Sequence, residues 1–394
     1  MKIKLLLSIF LMVLSISCST GEIEEITAPD SDTAIVDIPI PVPTEEVSLS
    51  EEEKSLKWVQ QMQGPNGLLE SSENSDFVSL YDNALTSILF IANGELDRAE
   101  SIFDFFNERI DSELLNGTGG FYQYRNRNGE NGGRTWMGDN VWLLMALNKY
   151  YDITGSQKYM RLASELEQWI RSLQDDDGGL WGGYNEDGTR IPKVTEGNIT
   201  AFTAVTGYDD FHKKILRYLE EERWDGATKT FLASPDTPRY NYALDLHSLG
   251  FGILESFPES SLLAAERYRT TQTATVTGNK ITGYCFDEDK DVVWLEGTAQ
   301  MAVAFKMARN DLKAAELLIE LEKTFITSNS LVDAIGIPYT TNFGSNYGAT
   351  ILWDHTDITP ALSSNVWYLF AKGNINPFGP NKKVVPISDK FWVD

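Results

Sequence analysis

Gly138-Asp139-Asn140-Val141-Trp142-Leu143-Leu144-Met145-Ala146-Leu147, set against Tyr159-Met160-Arg161-Leu162-Ala163-Ser164-Glu165-Leu166-Glu167-Gln168-Trp169-Ile170-Arg171-Ser172-Leu173, decides the architecture of this chain. From Val141 to Leu147 the first stretch is apolar on every side, which a helix tolerates only when protein surrounds it. In the second, Tyr159, Leu162, Ala163, Leu166, Ile170 and Leu173 recur at three-to-four spacing among charged residues, as in a helix with one face in water. The first is an inner helix and the second an outer one.

The same pair recurs along the chain. Buried-type helices are predicted to begin near Asp82, Asp139, Glu196, Asp245, Glu296 and Asn365, a spacing suited to helical hairpins. Amphipathic segments precede them near Glu51 to Gln63, Leu96 to Arg109, Lys158 to Leu173, Tyr208 to Leu219, Glu259 to Tyr268 and Asp311 to Phe325. Gly-rich connections such as Gly117-Thr118-Gly119-Gly120 and Asp177-Gly178-Gly179-Leu180-Trp181-Gly182-Gly183 join outer helices to the next inner ones.

Six outer and six inner helices in alternation resemble the (α/α)6 toroid of the six-hairpin glycosidases. The phrases Tyr81-Asp82-Asn83-Ala84, Gly138-Asp139-Asn140-Val141-Trp142, Thr195-Glu196-Gly197-Asn198 and Trp294-Leu295-Glu296-Gly297-Thr298-Ala299-Gln300 are similar in style to inner-helix starts there. The resemblance covers nearly everything after residue 48 and implies an all-α toroid over 49–394. It supports an activity only by analogy, since folds host many chemistries.

In such a ring the inner helices run in one direction, so their N-termini gather around one funnel. Asp82, Asp139, Glu196, Asp245 and Glu296 would then share a cleft with Trp136, Trp142, Trp294 and Trp353. Carboxylates supply acid, base or nucleophile, and aromatic faces stack on sugars. Capping alone also explains an Asp or Asn at a helix start, and it competes for Asp82, Asp139 and Asn365. Glutamate is a poor N-cap, and Lys193 and Val293, three residues before Glu196 and Glu296, do not complete a capping box. Thr195 offers a cap for the helix that carries Glu196.

Opposite inner axes in a six-membered ring lie roughly 16–20 Å apart. Asp139 on the second hairpin faces Glu296 on the fifth, and the carboxyl gap then approaches the ~6.5–9.5 Å of inverting glycosidases. On this basis Glu296 is assigned as general acid and Asp139 as general base, with Glu196 as the substitute for either. Asp82, Trp136, Asn140, Asn198, Asp245, His247, Trp294, Gln300, Trp353, His355 and Tyr184 are expected to contact substrate. Trp142 and Trp367, on all-apolar helices, fit the core as well as a sugar platform.

His247 and His355 set up a rival reading, an epimerase or lyase, because paired imidazoles in a toroid resemble the sugar 2-epimerases, which shuttle a proton with two histidines. A third reading is a glycan-binding surface lipoprotein without catalysis. No His-x-x-x-His pair or cysteine cluster is present, so neither metal nor cofactor is expected. Asp287, Asp289 and Asp291 alternate as in a calcium loop but lack its glycine and terminal glutamate, and read as a solvated turn.

Lys2 and Lys4 precede an apolar run from Leu5 to Ile16 that ends at Ser17-Cys18, a secretory signal too short to span a bilayer. Leu14-Ser15-Ile16-Ser17-Cys18 resembles a bacterial lipobox, which implies a lipid on Cys18 and an extracytoplasmic chain anchored to the outer membrane, on its periplasmic or cell-surface side. Residues 19–48, acidic and carrying Pro29, Pro39, Pro41 and Pro43, read as a flexible tether. Cys285 is then the only other thiol, so a monomer stabilised by its core, not by a disulfide, is expected. The formal charge of −25 argues against nucleic acid and against a strongly anionic polysaccharide, leaving a neutral carbohydrate as the expected ligand.

Overall fold

Four of the inner helices start from a short extended segment that is tied to the loop of another hairpin. Val78–Ser79, just before the second helix, pairs with Tyr124–Arg125, and Thr135–Trp136 pairs with Gly183–Tyr184. Single bridges join Trp294 to Thr340 and Ser72 to Ala361. The last of these links the first hairpin to the last, so a belt of backbone runs round one rim.

The computed structural model describes residues 48–233, 241–347, 350–352, 355–379 and 381–393. The signal, Cys18 and tether residues 19–47 lie outside the described residues, as does Trp353. Leu49–Asp394 forms one unit. Its inner helices are α2 (Leu80–Ala92), α4 (Met137–Thr154), α6 (Thr195–Ala204), α8 (Asp245–Ile253), α10 (Leu295–Met307) and α12 (Leu362–Lys372). Its outer helices are α1 (Glu51–Gln61), α3 (Leu96–Asn107), α5 (Met160–Ser172), α7 (Asp210–Tyr218), α9 (Ser260–Ala264) and α11 (Asp311–Glu322). Inner helices pack in sequence from α2 through α12, and α12 packs back on α2, closing the ring. Helices α3, α5, α7, α9 and α11 back the inner helix that precedes each of them, while α1 seals the seam against α12. The chain is an all-α (α/α)6 toroid.

The local chemistry agrees with these boundaries. Ser50 and Glu53 form a reciprocal capping box at α1, and Gly155, with φ 65°, ends α4. Trp58, Trp142 and Trp367 are fully or almost fully buried. Helix α9 stops after five residues, continues as a 3-10 turn over Ala265–Tyr268, and passes into a hairpin pairing Arg269–Thr273 with Lys280–Tyr284. The Thr-rich sequence there is β-branched and favours a pleated strand.

Beyond the far rim, residues 374–379 and 381–393 pass the C-terminal ends of inner helices. Lys382 donates to the carbonyls of Phe251 and Leu254, and Lys383 to that of Val205 at 2.9 Å. Ammonium groups at helix C-termini satisfy orphan carbonyls and oppose the helix dipole. Among the described residues no helix is long and apolar enough to cross a membrane.

Candidate active site

None of the acidic residues at the inner-helix starts is an N-cap. Ser79 caps α2 by accepting from the Asp82 amide, while α4, α6, α10 and α12 have no side-chain cap. Asp82 and Asp139 sit at the third helical position, Glu196 and Glu296 at the second, and Asp245 at the first. The capping reading of Asp82, Asp139 and Asn365 is therefore corrected, as is that of Thr195, whose hydroxyl donates to Leu232 O at 2.6 Å. Freed from capping, the carboxylates turn inward.

They meet around a cavity of about 310 Å³ lined by Tyr81, Trp136, Asp139, Trp142, Val194, Glu196, Asp245, Leu249, Phe286, Trp294, Glu296 and Gln300. Asp82, 1% exposed, stands just behind this wall, accepting from the Tyr339 hydroxyl at 3.2 Å. A larger space of about 750 Å³ opens where α2, α4 and α6 end, away from the carboxylates.

Glu296 is the most firmly held of the group. Its Oε1 accepts from Tyr81 at 2.7 Å and from Gln300 at 3.1 Å, and its Oε2 accepts from Ser363 at 2.7 Å. Trp367 Nε1, which can only donate, gives its hydrogen to the Tyr81 oxygen at 2.9 Å, so the tyrosine's own hydrogen is committed to Glu296. Burial raises the Glu296 pKa, and these three donors oppose the rise.

The carboxylates across the cavity are less well supported. Burial first, then the nearby Asp82, lifts Asp139 to about 8, against the counter-pull of Arg134. Burial, then Asp245 and Asp139, lifts Glu196 to about 8, and the Trp142 indole opposes this. Asp82 and Asp245 are raised to about 7, mainly by burial and with a contribution from Glu296. Gly138 leaves room for this packing, because a Cβ there would lie 3.0 Å from Glu196 Oε2.

Several predicted contacts are not made. Asn140, fully buried, accepts from Phe121 N and donates to the carbonyls of Phe121 and Trp136. Asn198 clasps Leu180 and Val194 in the same way. Asn83 and Asn365 repeat the clasp on Leu69 and Ile337. The recurrent asparagine fastens a loop to its helix and does not line the cavity. His247 is 2% exposed, its Nδ1 is 2.8 Å from Ser261 O, and burial lowers its pKa to about 4. The ring is packed in the core and does not line the cavity. His355 is exposed, with its ring edge-on to Phe343, and does not line the cavity. Tyr184 borders a separate groove beside Gly119 and Arg134.

Trp136, Trp294, Gln300 and Asp245 do line the cavity, and so does Trp142. The partners that sequence reading missed are Ser363, Tyr339 and Phe286. Tyr81, quoted beside Asp82, was legible as an inner-helix residue, whereas Tyr339 lies in a loop with no periodic signal. A further group lies apart: Sγ of buried Cys285 is 4.0 Å from Asp287 Oδ1 and 3.7 Å from Asp289 Oδ1. The amides of Asp289 and Asp291 donate to Asp287 Oδ1 and Asp289 Oδ1 at 3.2 Å each, as in a turn, and burial together with the hydrogen bond to Asp289 raises Asp287 to about 7.

No protein-family model and no curated protein matches the sequence. Among solved structures the chain is similar to a wild-type glycosidase, with TM-score 0.57 and 12% identity, covering 83% of this chain and 96% of that one. It is likewise similar to a sugar epimerase from a ruminal bacterium, with TM-score 0.55 and 13% identity over 80% and 95% of the two chains. A third is an alpha-amylase from Clostridium perfringens, with TM-score 0.56 and 13% identity over 82% and 97%. At such identities the likeness bears on the fold, which is that of the six-hairpin toroids.

Proposed function

We propose that this chain is a carbohydrate-active enzyme, an inverting glycoside hydrolase acting on a poly- or oligosaccharide without negative charge. The observation that carries the reading is the contrast across the cavity: Glu296 is held by three donors, while Asp139 and Glu196 are pushed up to about 8. That contrast reverses the roles assigned from sequence. Glu296, poised to accept, is the general base that takes a proton from water. Asp139, protonated at neutral pH, is the general acid that gives its proton to the leaving oxygen, and Glu196 is the substitute. Water attacks the anomeric carbon on one face as the glycosidic C–O bond breaks on the other. Trp136 and Trp294 supply apolar walls for the sugar. The solved toroids named glycosidase and alpha-amylase show that this scaffold is used by such enzymes.

The solved toroids also include a sugar epimerase, but with His247 sealed in the core and His355 outside the cavity the carboxylates carry the hydrolase reading instead. The chain is further proposed to be a monomer, lipid-anchored through Cys18 and exposed outside the cytoplasm. In a screen of oligosaccharides with stereochemical analysis of products, wild type is expected to release an inverted anomer, and Glu296→Gln to lose at least about 10³-fold in kcat while still binding. Full turnover by Glu296→Gln removes the assigned base.

A further inference from the structure

We infer that the sugar this cavity accepts carries a protonated amine, seated between Glu196 and Asp245. The inference rests on the carbohydrate reading above and narrows it from a neutral sugar to an amino sugar.

The charges that act most on Glu196 are other carboxylates, Asp245, Asp139 and Glu296. Among the described residues no lysine or arginine forms an ion pair with any of the five. Arg134, the cation near Asp139, is already engaged, with its Nε donating to Gln123 at 2.6 Å and its guanidinium 4.8 Å from the Trp136 ring centre. Asp245 Oδ1 is buried without a hydrogen-bond partner. Glu196 and Asp245 are also the two carboxylates that keep some exposure, whereas Asp82, Asp139 and Glu296 are buried. Buried anions need a compensating charge or a proton. A sugar hydroxyl donates a hydrogen bond but brings no charge, so it leaves the pair relying on bound protons to avoid repulsion. An ammonium group gives both carboxylates a donor and lets them ionise side by side, which releases the proton they share.

A metal ion is a poorer fit. It gathers several ligand atoms around one point at about 2.0–2.6 Å. Among the described residues only Cys285, Asp287 and Asp289 bring three such atoms within 4.8 Å of one another. The cavity carboxylates are spread round a ring, as suits an organic cation with several polar groups.

Groups facing this pair are Asp82 and Tyr81 from α2, Arg134 and Asp139 at the start of α4, Glu296 from α10 and Tyr339 from the loop before α12. The test is isothermal titration of the whole chain at pH 6.5 with D-glucosamine, D-galactosamine and D-mannosamine. Each is compared with its N-acetyl derivative and its parent hexose, in two buffers of different ionisation enthalpy. At least one amino sugar is expected to bind ten-fold or more tighter than both counterparts, with proton release on binding. Asp245→Asn and, independently, Glu196→Gln should abolish that preference, bringing each variant's affinity for the amino sugar down to its own affinity for the parent hexose. Equal affinity across every trio, or a preference that survives both substitutions, overturns the inference. Amine preference without hydrolysis of any oligosaccharide removes the hydrolase and keeps this site; hydrolysis without amine preference does the reverse.

Discussion

Asp139 and Asn140 are neighbours in sequence with opposite tasks: the first faces the cavity and the second is spent on backbone. Both residue types suit a helix start, so composition does not separate them. What separates them is helical position, since a 100° turn points one inward and the other toward the preceding loop. Asn140→Ala leaves the buried Phe121 amide and carbonyl unpaired, at a cost of roughly 2–4 kcal/mol. A lower urea midpoint with near-normal turnover per folded molecule is expected; normal stability with lost substrate affinity would restore Asn140 to the site. Tyr81→Phe tests the role of Glu296 differently. Loss of a donor that lowers the Glu296 pKa raises it, so the acidic limb of the pH–rate profile should move to higher pH. A limb that stays in place means that Glu296 is not the titrating base.

At the level of elements, helix type and order were legible because a helix apolar on all sides and a helix with one wet face differ in periodicity. The belt of short rim strands was not legible, because two-residue pairings such as Thr135–Trp136 with Gly183–Tyr184 leave almost no pattern. Yet the belt fastens the chain just before α2, α4, α10 and α12. Gly183 shows how tightly: its φ is 112°, and a Cβ there would lie 2.2 Å from Thr135 O. Gly183→Ala is expected to cost about 1–3 kcal/mol in backbone strain and to lower kcat by displacing Trp136 and Asp139. Unchanged melting and activity would show that the belt does not position the site.

The whole molecule carries its acidic cluster as a stability cost that depends on pH. Asp82, Asp139, Glu196 and Asp245 titrate at about 7 to 8 when folded, above their usual carboxylate range, so the folded state holds protons the unfolded chain has released. Stability is fully present below the unfolded values near 4 and is lost as pH rises through the folded ones. His247, lowered to about 4, acts in the opposite sense up to about 6.5, and Lys382 and Lys383, lowered to about 8, do so above that pH. The melting temperature should therefore fall between pH 6.5 and 8, and Glu196→Gln should flatten the fall; an equally steep fall in the variant would mean that Glu196 is already ionised. Periodicity determined which helices are buried and which have one face in water, since burial imprints itself on every turn of a helix, and the resemblance to the six-hairpin glycosidases implied their closure into a ring. Only the tertiary structure decided which acidic residues share a cavity, which asparagines hold loops and that His247 lies in the core. Those outcomes depend on the rotation of each helix and on groups hundreds of residues away, such as Ser363 and Tyr339, and neither leaves a mark on local sequence.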